Sequence, residues 1–265
     1  MAKLCDGRVV IVTGAGRGIG REHALMLAAH GAKVVVNDLG GSRDGTGASK
    51  GPAEEVVHEI QAAGGTAAPN GDNVADFAGA GRMVKQALDT FGRLDAVVNN
   101  AGISRVGPHT QDVTDEDWHD SIAVMQTGVF FCMRAAGRIM IPQRSGSVIN
   151  ISSIRGFSPN AGRMTYCAPK AAVIMMTKVA AGEWAPHGVR VNAIAPGVLK
   201  TPMWDTDVAR GAIDEPAILE VVPMHRLGLP SEVGKLAAFL ASDDAAYITG
   251  AVLTIDGALT SIPAA

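Results

Sequence analysis

Val9-Val10-Ile11-Val12-Thr13-Gly14-Ala15-Gly16-Arg17-Gly18-Ile19-Gly20 is a β-branched run that breaks into alternating glycines and then continues into a helical pattern. The run reads as a buried strand and the pattern after Gly18 as a helix, so the glycines form the turn between them. A strand–glycine turn–helix presents backbone N–H groups at a helix N-terminus, where the dipole favours an anion. Side chains would block close approach of a pyrophosphate, which is why glycines fill the turn.

The same alternation continues along the chain. Short apolar runs recur at Lys33–Asn37, Thr66–Ala68, Ala96–Asn99, Ser147–Ser152, Val189–Ala195 and Ala251–Ile255. Helical patterns lie between them, at Gly18–His30, Ala53–Ala63, Ala75–Phe91, Asp115–Ile141, Met164–Ala185 and Ser231–Ala241. Near-continuous apolar strands suit a parallel sheet covered on both faces. The expectation is a single-domain α/β Rossmann fold over residues 1–265, a doubly wound, mostly parallel sheet of about seven strands. Residues 40–52, GGSRDGTGASKGP, read as a Gly-rich insertion between a strand and its crossover helix.

Composition narrows the function. The 265 residues include 32 Gly, and the chain is 47% apolar with 18% charged, so it is neither disordered nor collagen-like. A net charge of −3 gives no electrostatic reason to expect nucleic acid or an anionic membrane as partner. Cys5, Cys132 and Cys167 show no metal-ligand spacing, and no apolar run reaches the ~18 residues of a membrane span. No metal is expected, and the setting expected is the cytoplasm.

The second strand carries Val36-Asn37-Asp38-Leu39, with Asp38 about twenty residues after the glycine turn. An acid there accepts hydrogen bonds from adenosine ribose hydroxyls and repels a 2′-phosphate, which favours NAD over NADP. Arg17 and Arg43 weigh the other way.

These residues resemble the short-chain dehydrogenase/reductase family over nearly the whole chain. The motifs are Thr13–Gly20, Asn99-Asn100-Ala101-Gly102, Ile149–Ser153, Tyr166-Cys167-Ala168-Pro169-Lys170, Pro196-Gly197 with Thr201, and Ile248–Gly257. The N-terminal half is similar to hydroxyacyl-CoA dehydrogenases, and the C-terminal half to 3-oxoacyl carrier-protein reductases. The resemblance implies a homotetramer. It also implies cofactor contacts from Gly14, Arg17, Gly18, Ile19, Gly20, Asp38, Leu39, Asp72, Asn73, Asn99, Ala101, Gly102, Pro196, Gly197, Val198 and Thr201, together with Tyr166 and Lys170.

Tyr166 and Lys170 stand four apart on a predicted helix and share a face. An ammonium beside a phenol favours phenolate and lowers its pKa, so the phenol can exchange a proton with a substrate oxygen. Ser153 can present a hydroxyl to the same oxygen. By resemblance Ser153, Tyr166 and Lys170 are the catalytic residues. Alternation along the strand turns Ser152 the other way. Tyr247, without a Lys partner, is expected to pack. The family Asn in its V-N-L-x-G helix is replaced by Met125 in Val124-Met125-Gln126-Thr127-Gly128.

Residues 200–224 read as a substrate lid, with Met203, Trp204, Val208 and Met224 offering apolar contact. The function expected is NAD(H)-dependent interconversion of a secondary alcohol and a ketone on a small-molecule substrate, a 3-hydroxyacyl or 3-oxoacyl thioester. The alternatives are a steroid-like or small alicyclic alcohol, and a weakly catalytic NAD-binding sensor motivated by Met125.

Overall fold

The computed structural model describes residues 3–41, 46–49, 51–103, 108–211 and 213–261, without the side chains of 202, 203 and 207. Arg43 and the Met203 side chain therefore lie outside the described residues. Seven strands, β1 (Val9–Thr13), β2 (Lys33–Asn37), β3 (Thr66–Asn70), β4 (Ala96–Asn99), β5 (Gly146–Ile151), β6 (Val189–Pro196) and β7 (Val252–Ile255), form one sheet in the order β3-β2-β1-β4-β5-β6-β7. Every pairing is parallel. The order reverses direction at β1 and β4, whose C-terminal ends open the crevice where such sheets bind ligands.

The helices are α1 (Gly18–Ala29), α2 (Gly51–Ala62), α3 (Phe77–Phe91), α4 (Asp115–Ile122), α5 (Gly128–Gln143), α6 (Met164–Trp184), α7 (Pro202–Ala209), α8 (Glu215–Val221) and α9 (Pro230–Ala241). Alternation along the strands divides the core into two layers. Val10, Val12, Val34 and Val36 face α1, α2 and α9, whereas Val9, Ile11 and Val35 face α3, α5 and α6. On α6 the buried stripe Thr165, Pro169, Lys170, Val173, Thr177, Ala180 and Ala181 follows helical periodicity and lays Lys170 against the sheet.

Three features differ from expectation. The stretch Asp115–Ile141 is not one regular helix: Ala123–Thr127 forms a π turn between α4 and α5. An extra residue per turn has no sequence signature, and such bulges concentrate at functional sites. The run from Ala75 begins its helix at Phe77, because Asp76 caps it by accepting from the N–H groups of Ala78 and Gly79. Tyr247, expected to pack, is fully exposed among the described residues.

Candidate active site

The turn after β1 is held from the end of β4, its neighbour in the sheet. Thr13 Oγ1 accepts the N–H groups of Asn100 and Ala101, each at 3.1 Å, and Asn100 Nδ2 donates to the Thr13 and Gly14 carbonyls, each at 3.0 Å. A Cβ on Gly14 would lie 2.8 Å from Ala101 Cα, and one on Gly20 only 2.0 Å from the Gly14 carbonyl oxygen. Gly18 is different: it has φ +54° at the first residue of α1 and nothing within 4 Å of where a Cβ would be. Arg17, the N-cap, is exposed and makes no side-chain cap, so the first N–H groups of α1 face open space beside Ile19. This cradle fits a pyrophosphate.

Asp38 sits beside that turn. One carboxylate oxygen accepts the Gly16 N–H and the other the Gly40 N–H, each at 2.7 Å. The acid therefore ties the glycine turn to the chain leaving β2, with lone pairs left for ribose hydroxyls. Leu39 is half-buried next to it, and its carbonyl accepts the Ser49 N–H. On the adenine side, Asp72 is turned toward Arg82, whose Nε donates to it at 2.6 Å, and also accepts from Asn70. Asn73 is exposed and turns its side-chain oxygen back to the Ala75 N–H.

β4 and β5 bring Asn99 beside Asn150 in register. Asn99 Nδ2 donates to Asn150 Oδ1 at 2.8 Å, and Asn150 Nδ2 donates to Thr177 Oγ1 on α6 at 2.9 Å. Asn99 is 2% exposed: its Nδ2 braces the sheet, and its Oδ1 has no hydrogen-bond partner among the described residues. Gly102 follows, and a Cβ there would meet the Met125 sulfur at 3.6 Å. The π turn thus delivers a buried thioether to the end of β4, at the position where the family resemblance expects an amide.

The three expected catalytic residues do come together. Ser153 leaves β5 extended, and its hydroxyl accepts the Arg155 N–H at 3.1 Å and stands close enough to the Tyr166 side chain to act on its pKa. Ser152 is buried elsewhere, donating to the Lys170 carbonyl at 2.8 Å. Lys170 Nζ donates to the Ile151 carbonyl at 2.7 Å and stands 5.7 Å from the centre of the Tyr166 ring. Burial lowers the Lys170 pKa from 10.5 to about 8. The phenol departs from expectation. Burial raises the Tyr166 pKa, and the Ser153 hydrogen bond and the charges of Arg163 and Arg155 only partly oppose it. Lys170 is itself desolvated and bonded to the main chain, so it does not pull the phenol below its ordinary value.

β6 ends at Pro196. The Gly197 N–H donates to the Ile255 carbonyl at 2.9 Å, and a Cβ on Gly197 would strike Asp256 at 2.6 Å. Val198 accepts the Gly228 N–H at 3.0 Å, and Lys200 N–H donates to the Gly228 carbonyl at 2.8 Å. This isolated bridge, Leu199 to Gly228, closes the base of the lid. Within the lid, Thr201 caps α7 by accepting the Trp204 N–H, and Trp204 Nε1 donates to Glu215 at the start of α8. The side chains that sequence reading left without a role are Asn100 and Asn150, which fix the turn and the strand ends. Asn100 lay inside a quoted motif, and only the fold shows that its amide spans to Thr13.

Among the described residues, no group of three or more His, Cys, Asp or Glu could hold a metal, and no helix is long and apolar enough to cross a membrane.

The family model described as enoyl-(acyl carrier protein) reductase matches residues 14–260. The chain is 43% identical over 253 residues to a 3-oxoacyl-[acyl-carrier-protein] reductase of Synechocystis, covering 95% of this chain and 96% of that one. It is 40% identical to a 2,5-dichloro-2,5-cyclohexadiene-1,4-diol dehydrogenase of Sphingobium indicum, covering 97% and 98%. A crystal structure of a gluconate 5-dehydrogenase from Burkholderia cenocepacia, in complex with NADP and tartrate, superposes with a TM-score of 0.89 at 32% identity over 98% of each chain. The glycine turn, the Ser153–Tyr166–Lys170 cluster and these matches together place the chain in the short-chain dehydrogenase/reductase family of oxidoreductases acting on CH–OH groups.

Proposed function

We propose that the chain interconverts a secondary alcohol and a ketone with NAD(H), and that a 3-hydroxyacyl/3-oxoacyl thioester is its substrate. The observation that carries the chemistry is the gathering of Ser153, Tyr166 and Lys170 in one cluster, with Lys170 buried on the Ile151 carbonyl and 5.7 Å from the centre of the Tyr166 ring. The reductase relatives support the thioester. A small alicyclic alcohol is the second reading, favoured by the cyclohexadiene-diol relative.

The open space before Gly18 and the free N–H groups of α1 suit the pyrophosphate, and Asp38 suits the ribose. The NADP bound in the Burkholderia structure pulls against NAD. Asp38 outweighs it here, because its carboxylate is fixed by two backbone N–H groups and cannot swing away from a 2′-phosphate. When bound, the nicotinamide supplies or accepts the hydride. Ser153 donates a hydrogen bond to the substrate oxygen and holds it against Tyr166 Oη. With its pKa held up by burial, Tyr166 is a neutral phenol near neutral pH, ready to give its proton to the oxygen of a ketone being reduced. Lys170 fixes the geometry from the far side of the ring.

Exposed Phe130 on α5 and Met175 and Val179 on α6 support assembly as a homotetramer. The test follows NADH loss with acetoacetyl-CoA, a steroid ketone and cyclohexanone, using Tyr166→Phe as control. Turnover that the Phe variant abolishes is expected. Wild-type NADH binding without turnover of any ketone would identify a sensor instead.

A further inference from the structure

The Gly-rich insertion after β2 takes no part in the proton transfer, yet its two described ends meet beside Asp38. The Ser49 N–H donates to the Leu39 carbonyl at 2.9 Å, so the chain that departs at Gly40 is fastened back where it left. Gly40 has φ +73°, and a Cβ on it would lie 1.7 Å from the Ser49 carbonyl oxygen and 2.6 Å from the Ser49 nitrogen. Only glycine lets this neck close main chain on main chain. The Gly40 N–H is one of the two that hold Asp38, donating to its Oδ1 at 2.7 Å. On the other side, the Gly16 N–H donates to Asp38 Oδ2 at 2.7 Å. A Cβ on Gly16 would meet that oxygen at 2.8 Å and Cβ of Pro52, buried in the first turn of α2, at 2.7 Å. The carboxylate is thus gripped between the glycine turn, the neck and the start of α2.

A carboxylate free to rotate can turn from an incoming anion, and water then screens the repulsion that remains. One whose two oxygens each accept a main-chain N–H cannot turn without giving up a charge-assisted hydrogen bond. The Gly16 bond is made by the turn itself. The Gly40 bond depends on the neck, because the left-handed φ of Gly40 and the packing of Ser49 against it set where its N–H points. The lone pairs that remain on Asp38 suit two hydroxyl donors and repel a phosphate.

We infer that the Gly40–Ser49 neck is a selectivity clasp for the adenosine ribose. By pinning Asp38 it makes the site accept a dinucleotide with a free 2′-hydroxyl and refuse one with a 2′-phosphate. Gly40 and Ser49 are positioning residues that act through Asp38 and need not touch the cofactor. This rests on the NAD reading of the site and adds to it the residues that enforce the choice.

The experiment titrates NADH and NADPH by fluorescence into wild type, Gly40→Ala, Ser49→Pro and Gly47→Ala, and compares the ratio of the two Kd values. Gly40→Ala drives a methyl into Ser49. Ser49→Pro removes the N–H that closes the neck and leaves Gly40 in place. Each should weaken NADH and spare NADPH, so that the preference for NADH falls by about tenfold, as for loss of one charged hydrogen bond. Gly47 also has a left-handed φ, +79°, but nothing lies within 4 Å of where its Cβ would be. Gly47→Ala therefore strains the same insertion without touching the neck, and it should keep the wild-type ratio. In an Asp38→Asn background Gly40→Ala should leave the ratio where Asp38→Asn puts it, because no charge remains to be positioned. A ratio unmoved in both neck variants overturns the inference, including the case in which both affinities fall together. So does an equal fall in Gly47→Ala, or a fall that persists undiminished in the Asp38→Asn background. Failure of the NAD reading itself shows separately, as wild type that binds NADPH at least as tightly as NADH.

Discussion

Replacing Lys170 by Met should change stability with opposite signs at neutral and alkaline pH. Lys170 is 5% exposed, and its pKa falls from 10.5 to about 8 because burial disfavours the ammonium. A lysine with a depressed folded pKa lowers stability wherever the unfolded chain binds its proton more readily. That penalty is full below pH 8 and fades as pH rises through 10.5. At about 1.4 kcal/mol per pKa unit, the shift corresponds to about 3 kcal/mol at pH 7 and about 1 kcal/mol at pH 10. Met fills similar volume but gives up the 2.7 Å bond to the Ile151 carbonyl, at a cost of ~1–2 kcal/mol that does not vary with pH. The variant should therefore be more stable than wild type by about 1–2 kcal/mol at pH 7, and equal or less stable at pH 10. Thermal melts of both proteins at the two pH values read the difference. For a domain of this size a swing of about 2 kcal/mol moves the Tm difference by about 4–8 °C. An offset identical at both pH values would refute the reasoning, because it would mean that the buried amine carries no protonation penalty.

Four further substitutions test the crevice. Gly20→Ala places a methyl 2.0 Å from the Gly14 carbonyl oxygen, so it should destabilise the fold by several kcal/mol, on the order of ~3, in chemical denaturation. Gly18→Ala meets open space and a strained φ of +54°, so it should cost about 1 kcal/mol of stability yet weaken dinucleotide binding measured by fluorescence titration. Asp38→Ala removes the acceptor for Gly16 and Gly40 and the repulsion of a 2′-phosphate, so the NADPH-to-NADH ratio of kcat/KM should rise by about tenfold or more. Met125→Asn introduces an amide beside Gly102, and it should raise the turnover rate if the thioether limits proton relay; an unchanged rate in single-turnover measurements rejects that role.

The fold was legible because its signals are local. Val9–Thr13 and Lys33–Asn37 each declare a two-sided buried strand within five residues, and the glycines mark the turn between strand and helix. Ser153, Tyr166 and Lys170 were legible as a spacing. The electrostatics of the cluster were not, because Lys170 is anchored on a carbonyl 19 residues away in sequence and desolvated by packing that no i,i+4 rule contains. The Asn100 latch was hidden in the same way, since its partners lie 86 and 87 residues back. The π turn at Ala123–Thr127 has apolar residues in ordinary helical sequence, and only tertiary packing selects the extra residue. Trp204 and Glu215 carried no pattern at all, because each lies on a separate short helix.

The bridge between Leu199 and Gly228 has a consequence for how such a chain diversifies. Both ends of residues 201–227 are fastened to each other by main-chain bonds, at Lys200 and at Gly228, before either segment reaches the sheet. Once the ends are fixed, doubling the length of such an excursion costs only about 0.6 kcal/mol of closure entropy. Apart from the Arg226–Glu232 pair to α9 and the Met224 N–H bonded to the Gly257 carbonyl, insertions, deletions or wholesale exchange between those two clasps are thereby uncoupled from the strands and the proton-transfer groups. The excursion can be grafted from one relative to another as a cassette, changing which molecule is admitted while the scaffold beneath it keeps folding unaltered.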